Sequence, residues 1–199
     1  MAIKADNSDP IFFQELEDVE AALKVPSEKR LARMDKYRKT IEKSDDATSR
    51  YVHLLTENGK YRKALDILET RHFRVWEGGS TVYTQFVDAN LLYGLSLLSR
   101  HRNRKALESF LAAGTFPRNL ETNELSTGPL VAKVAYHQGL AYKALGETEK
   151  AREAFEKCIL TTGASRGDYA DESMYFVAMS QKELGHEAEA DAAIKKIQD

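Results

Sequence analysis

The chain has 199 residues, of which 42% are apolar and 30% are charged, and its formal net charge is −2. This composition is typical of a globular protein with a buried core, and it excludes a disordered or fibrous chain. The near-neutral charge argues against a dedicated nucleic-acid coat, and the single cysteine excludes an internal disulfide and a cysteine-built zinc site.

The start of the chain lacks the apolar segment of a secretion signal, and no apolar run reaches the ~20 residues of a membrane span. We therefore expect a cytoplasmic protein. Residues 1–9 are expected to be disordered. Apolar residues then recur at helical spacing over 11–23 and 31–41, on either side of Pro26, which predicts a first helix pair.

Four later segments share one pattern. Each has an apolar first stretch, a polar turn and a second stretch that opens near an alanine, and a large apolar residue follows that alanine four positions later. The alanines are Ala64, Ala106, Ala151 and Ala190, and twelve residues before them stand Val52, Gly94, Gly139 and Ala178. Glycine suits a left-handed turn position after a helix. The second segment has His101 where the other turns have glycine, so we expect a different turn there.

Small residues at this spacing indicate where two helices cross, because small side chains let the backbones approach closely. The large residue four positions after the alanine shares its helix face and fills the space beside the crossing. The segments resemble tetratricopeptide repeats, most clearly through Gly139, Tyr142, Gly146, Ala151 and Phe155. The resemblance implies an all-α fold, a right-handed solenoid of helix-turn-helix pairs.

Two insertions separate the repeats. The first contains Arg71, Phe73, Trp76 and Glu77, and the second contains Pro117, Asn119 and Leu120. Together they resemble the C-terminal repeat region of large bacterial proteins that carry an uncharacterised β-rich domain ahead of it. We expect the inserted turn at Trp76 and Glu77 to be anchored by Trp76, which would fill a gap between helix pairs.

We therefore predict a single tetratricopeptide-like solenoid over residues 10–199, built from about five helix pairs. The pairs are expected near 10–43, 46–73, 81–114, 130–162 and 168–198.

No residue pattern indicates catalysis, a metal site or a cofactor. None of the five histidines pairs with another at helical spacing, and no carboxylate pair stands beside a histidine at metal-ligand spacing. Cys158 falls where the repeat expects a small core residue, and no base marks it as a nucleophile. We predict that the protein is not an enzyme and that its histidines lie at the surface or in turns, with a groove contact as the alternative for His53 and His137.

The resemblance also implies a binding surface, since first helices line a long, pre-formed concave groove that takes peptides or partner helices. Exposed Tyr136 and Tyr175 would be its signature, whereas packing against neighbouring helices is the alternative for the leucines and also for the tyrosines. The residues that the repeat pattern points into the groove are His53, Leu91, Leu95, Tyr136, Leu140, Tyr175 and Met179, with Lys143 and Lys182 beside them.

The expected partner is a protein or a peptide. Basic residues cluster in 29–43 and 100–105, which is usual for a solvated face and a solvated turn, and an anionic partner stays open. Nucleic acid is disfavoured because aromatic residues are not interleaved with these charges, and we expect no membrane partner.

Two other functions remain as alternatives. The chain could be a structural module that docks to a β-rich domain or self-associates as a homo-oligomer, with the last helix over 187–198 as an edge. It could instead be an accessory substrate-recognition part of a carbohydrate-related assembly, which predicts a compact pocket near Trp76.

Overall fold

The computed structural model describes residues 7–74, 81–121, 128–162 and 172–198. Within these ranges the secondary structure is helical, with no β-strand. In chain order the helices are α1 (Pro10–Ala22), α2 (Ser27–Lys36), α3 (Arg38–Ile41), α4 (Asp45–Glu57), α5 (Tyr61–Thr70), α6 (Thr81–Leu98), α7 (Asn103–Ala113), a 3-10 helix (Arg118–Leu120), α8 (Pro129–Ala144), α9 (Thr148–Thr162), α10 (Glu172–Glu183) and α11 (Glu187–Gln198).

The chain divides into two compact units. The first unit comprises Met1–Leu92 and Pro117–Thr122, and the second comprises Tyr93–Phe116 and Asn123–Asp199. The boundary between them falls within α6. The single array that the sequence predicts over 10–199 stays a prediction.

In the first unit α4 packs against α1, α2 and α5. The helix α1 begins where the Asp9 carboxylate accepts a hydrogen bond from the Ile11 N–H at 2.9 Å, and Pro10 starts its first turn. The apolar stripe over 31–41 forms two helices rather than one, because the backbone leaves helical geometry at Tyr37. Tyr51 and Leu55 on α4 are almost completely buried in the core of this unit.

An ionic cluster joins three helices of the first unit. The Arg30 guanidinium on α2 donates to the Glu17 carboxylate on α1, and both side chains are more than nine-tenths buried. Arg30 also contacts Glu57 at the end of α4, at 3.1 Å. A buried charge is tolerated only when it is paired, so this cluster fixes how α1 and α2 sit on α4.

The two inserted segments meet each other in the first unit. The Asn119 side chain donates to the carbonyl oxygens of Leu68 and Arg71, at 2.7 and 2.8 Å. In return the Asn119 carbonyl oxygen accepts a hydrogen bond from the Phe73 N–H at 2.9 Å. Phe73 and Leu120 are both buried. The Pro-x-Asn-Leu turn therefore packs against the C-terminal end of α5 and satisfies its backbone carbonyls. The spacing of the motif alone did not predict this contact.

In the second unit α8 is the central helix, and it packs against α7, α9 and α10, while α11 packs against α10. Gly139 on α8 lies directly under the Phe155 ring on α9: a Cβ at Gly139 would lie 2.5 Å from Phe155 Cε1. Gly94 and Phe110 repeat this arrangement, with a corresponding distance of 2.3 Å. The prediction that small residues mark helix crossings is confirmed.

The turns between the two helices of the four repeats have one shared geometry. Gly59, Gly146 and Gly185 have positive φ angles of 68°, 75° and 80°. In each turn the following residue donates its N–H to a carbonyl five residues earlier, as in Lys60 to Leu55. His101 adopts φ of 57°, and Arg102 donates to Leu97 in the same way. The expectation of a different turn at His101 is therefore wrong, since histidine here accepts the conformation that favours glycine.

Candidate partner-binding groove

The predicted groove residues of the second unit lie on α8 and α10, two first helices that pack side by side. Tyr136 on α8 forms the floor: its ring centroid lies 6.0 Å from that of Phe155 and 5.6 Å from that of Phe176. Only 8% of Tyr136 is exposed, and burial raises the pKa of its hydroxyl to about 12. The expectation that Tyr136 is exposed is wrong, because aromatic rings from α9 and α10 enclose it.

Three residues lie above that floor and face outward. Tyr175 on α10 is 53% exposed, and its ring meets the edge of Phe176 at a centroid distance of 5.4 Å. Leu140 on α8 and Met179 on α10 are partly buried and pack against the core cluster that contains Tyr136. We call Tyr136, Leu140, Tyr175 and Met179 the α8–α10 strip.

Ion pairs flank the α8–α10 strip along both helices. Lys133 on α8 contacts Glu172 on α10 at 3.0 Å, one turn before Tyr136. Lys143, near the end of α8, forms a second pair with Glu183 on α10. Lys182 is exposed beside the second pair. These pairs join the two helices across the groove and leave the apolar strip between them.

Sequence reasoning found Lys143 and Lys182 but missed Lys133, Glu172 and Glu183. A signal was present, because Lys133 and Glu172 each stand six residues before the small residue of their repeat. Opposite charges at one repeat position face each other when first helices of successive pairs are neighbours.

The remaining predicted residues are in other places. His53 on α4 is exposed, and Leu91 on α6 is 2% exposed, both in the first unit. Leu95 on α6 belongs to the second unit and is half-buried. For Leu91 the alternative interpretation, packing within the protein, is the one its burial supports. Trp76 and Glu77 of the inserted turn lie outside the described residues.

His137 on α8 departs from the expectation of surface histidines. It is 7% exposed, and its ring centroid lies 5.5 Å from Phe110 on α7 and 5.6 Å from Phe176 on α10. Its Nδ1 donates to the Lys133 carbonyl oxygen at 2.7 Å. Burial lowers the pKa of His137, so the neutral ring is the form that the three helices enclose.

The described residues contain no group of three side chains suited to hold a metal ion. Cys158 is buried, as predicted for a core position, and burial raises the pKa of its thiol to about 11. A neutral, enclosed thiol is a poor nucleophile. None of the described helices has the length and apolar character that crossing a membrane requires.

Comparison with known proteins places this geometry in a fold family. Residues 132–161, which cover most of α8 and α9, match the tetratricopeptide repeat family. The structure of MamA 41-end from Desulfovibrio magneticus RS-1 is similar, with a TM-score of 0.51, 14% identity, and coverage of 95% of this chain and 93% of that chain. A second similar structure contains the nearly identical TPR-like repeats of a putative kinesin light chain from Podosopora anserina. Its TM-score is 0.54 and its identity 12%, and the match covers 97% of this chain and 95% of that chain. The predicted fold class is therefore confirmed: the chain has an all-α fold of helix-turn-helix repeats of the tetratricopeptide type.

Proposed function

We propose that the protein is a non-catalytic interaction module whose second unit binds a peptide or a partner helix on the α8–α10 strip. The observation that carries this proposal is Tyr175, an aromatic side chain that is 53% exposed above a rigid aromatic floor. Tyrosine is enriched among the few residues that carry most of the binding energy near the centre of protein interfaces.

The floor of the strip supports binding because it is already ordered. Tyr136 is held between Phe155 and Phe176, so a partner need not pay the entropy of arranging these rings. Met179 above them has a flexible thioether side chain that adapts to different apolar groups. The combination favours a partner that inserts one or two large apolar side chains.

The flanking ion pairs support a linear partner rather than a globular one. Lys133 with Glu172 and Lys143 with Glu183 lie at opposite ends of the strip and limit its length. A peptide segment or one face of a helix fits such a strip, and its polar groups would exchange hydrogen bonds with these charges. His53 and Leu95 stay predicted contacts of the same kind.

Selection from a random peptide display library, followed by calorimetric titration of the selected peptides, tests this function. Tyr175→Ser with Met179→Ser should weaken binding by at least about thirtyfold, the effect of losing a hot spot of about 2 kcal/mol. The matched control is Leu111→Ser, which removes a 44% exposed leucine from α7, outside the strip.

The control variant should bind within about twofold of wild type. Peptides that bind the double variant as tightly as wild type, while circular dichroism shows both folded, would remove the groove from the proposal. Weaker binding by both variants would point to another surface.

A specific observation also favours the second candidate, a structural module. On α1 and at its C-cap, Ile11, Val19 and Leu23 are 53%, 55% and 72% exposed, a set of large aliphatic residues that face solvent close to one another in the chain. Sedimentation velocity of wild type against Val19→Ser with Leu23→Ser tests it. If wild type self-associates and this variant does not, the structural role is supported. If wild type is a monomer at all concentrations, docking to another domain is the only structural role that is left.

A further inference from the structure

The turn between α6 and α7 carries four cations, Arg100, Arg102, Arg104 and Lys105, which we call the basic turn. All four are exposed, and within the described ranges none of them forms an ion pair. Seven other arginines in those ranges are each held by a carboxylate, namely Arg30, Arg33, Arg38, Arg50, Arg62, Arg71 and Arg152. The basic turn therefore presents positive charge that this part of the chain leaves uncompensated.

The basic turn is also locally unfavourable. Arg104 and Lys105 lie in the first turn of α7, where the helix dipole disfavours positive charge, and no side chain caps that helix. At the corresponding places α9 and α11 have acidic residues, Glu149 and Glu187, whereas α5 has Arg62 and Lys63, and there Arg62 is paired with Asp66. His101 adopts a left-handed backbone conformation, which is unfavourable for residues other than glycine. Cations at a helix N-terminus, a missing cap and a left-handed histidine are each locally unfavourable. Their presence in one short segment indicates a functional constraint there.

The basic turn adjoins one end of the groove in the second unit. The Asn103 side chain donates a hydrogen bond to the Ala144 carbonyl oxygen at 2.7 Å. Ala144 is the last residue of α8 and follows Lys143, which belongs to the ion pair at that end of the α8–α10 strip. A partner that extends past this end of the strip therefore meets the basic turn.

Carboxylates of a protein segment complement this surface better than other anions do. A single-stranded nucleic acid needs aromatic platforms, and residues 99–105 contain no Phe, Tyr or Trp. The basic turn also adjoins a strip that takes a protein segment, so carboxylates on the same segment reach it without a second ligand. We propose that the basic turn binds an acidic segment that flanks the part of the partner held on the α8–α10 strip. This inference rests on the proposed function, because both surfaces would serve one partner.

Fluorescence anisotropy with a labelled deca-glutamate peptide tests the basic turn apart from the strip, since this probe has no apolar side chain. The variant Arg102→Gln, Arg104→Gln, Lys105→Gln removes three of the four cations. We expect it to bind deca-glutamate about tenfold more weakly than wild type at low salt, with a smaller dependence on salt.

The chain offers a matched control in the equivalent turn before α5. Lys60→Gln, Arg62→Gln, Lys63→Gln removes the same number of charges at the same repeat positions and should keep the affinity within about twofold. Equal losses in both triple variants, or no loss in the first, would overturn the proposal. Tighter binding of a deca-thymidine strand or of phosphatidylserine vesicles than of deca-glutamate would overturn the choice of an acidic peptide.

The strip variant separates this inference from the proposed function. Tyr175→Ser with Met179→Ser should leave deca-glutamate binding unchanged, and a loss in this variant would contradict an independent site on the basic turn. If the same variant fails to weaken library-selected peptides, the groove is refuted while the result for the basic turn stands. Circular dichroism of each variant verifies that the helices are intact.

Discussion

The Phe155 ring occupies the space in which a side chain of residue 139 would begin, with Cε1 2.5 Å from the Cβ that Gly139 lacks. Gly94 and Phe110 have the same relationship at 2.3 Å. Each pair brings two helices into close contact. These contacts, together with the buried alanines Ala106 and Ala151, explain why small residues recur at fixed positions of the repeats.

Gly139→Ala should therefore destabilise the protein by about 1–3 kcal/mol, because the new methyl group displaces Phe155 and its neighbours. Urea unfolding followed by circular dichroism measures the change. Gly114→Ala is the control, since its nearest neighbour atom would be 3.4 Å away, and it should be neutral or stabilising by up to about 1 kcal/mol.

The double variant Gly139→Ala with Phe155→Leu tests the cause of that loss. If Phe155 is the obstacle, its truncation makes room, and the double variant should cost less than the sum of the two single variants. Strict additivity would show that the methyl group at residue 139 is opposed by something other than the ring.

Replacing His101 by glycine should stabilise the protein. The left-handed backbone costs a non-glycine residue about 1–2 kcal/mol, part of which the greater freedom of unfolded glycine offsets, so His101→Gly should stabilise the protein by about 0.5–1 kcal/mol. Thermal unfolding measures the gain. The reverse exchange, Gly146→His at φ of 75°, should destabilise by a similar amount, and an unchanged midpoint in both variants would contradict the shared turn geometry.

The buried pair of Arg30 and Glu17 should be more sensitive than the exposed pairs. Arg30→Met leaves the Glu17 carboxylate buried without its partner and should cost about 3–5 kcal/mol. Arg50→Met breaks the more exposed pair with Asp18, which joins α1 to α4, and should cost less than about 1 kcal/mol. Chemical denaturation of both variants makes the comparison, and equal costs would show that burial does not govern these pairs.

Stability should decrease at acid pH because of His137. The unfolded chain binds a proton near the ordinary imidazole value of 6.5, whereas burial lowers the pKa of His137 in the folded chain. Its contribution is therefore fully present above pH 6.5 and is lost as the pH falls through that value towards the lowered pKa, by at most about 1.4 kcal/mol per pH unit. The charged groups near the ring are Lys133 on its own helix and Glu172 on α10.

Unfolding in urea at a series of pH values checks this. His137→Phe keeps an aromatic ring without the titrating group and should give a flatter profile between pH 7 and 5 than wild type. His53→Gln removes an exposed histidine and should keep the wild-type slope. A profile of His137→Phe that parallels wild type would assign the acid sensitivity to other groups.

The sequence by itself determined the helical repeats, the places where helices cross and the candidate first-helix faces. These follow from short-range rules: residues four positions apart share a helix face, and a residue without a side chain marks close approach, so Gly139 and Phe155 could be paired from spacing alone. The same rules placed Cys158 in the core and Tyr175 on an exposed face.

Tertiary structure decided which predicted residues are accessible and which are paired. Spacing puts Tyr136 and Tyr175 at the same repeat position, yet Tyr136 is buried and Tyr175 is exposed. Both Phe155 and Phe176 pack against Tyr136, whereas Tyr175 meets the edge of Phe176. His137 is a core residue for a similar reason, since Phe110 and Phe176, two of the rings that pack against it, come from other helices. Exposure and ion pairing depend on the atoms that neighbouring elements bring together, and helical periodicity describes only one element at a time.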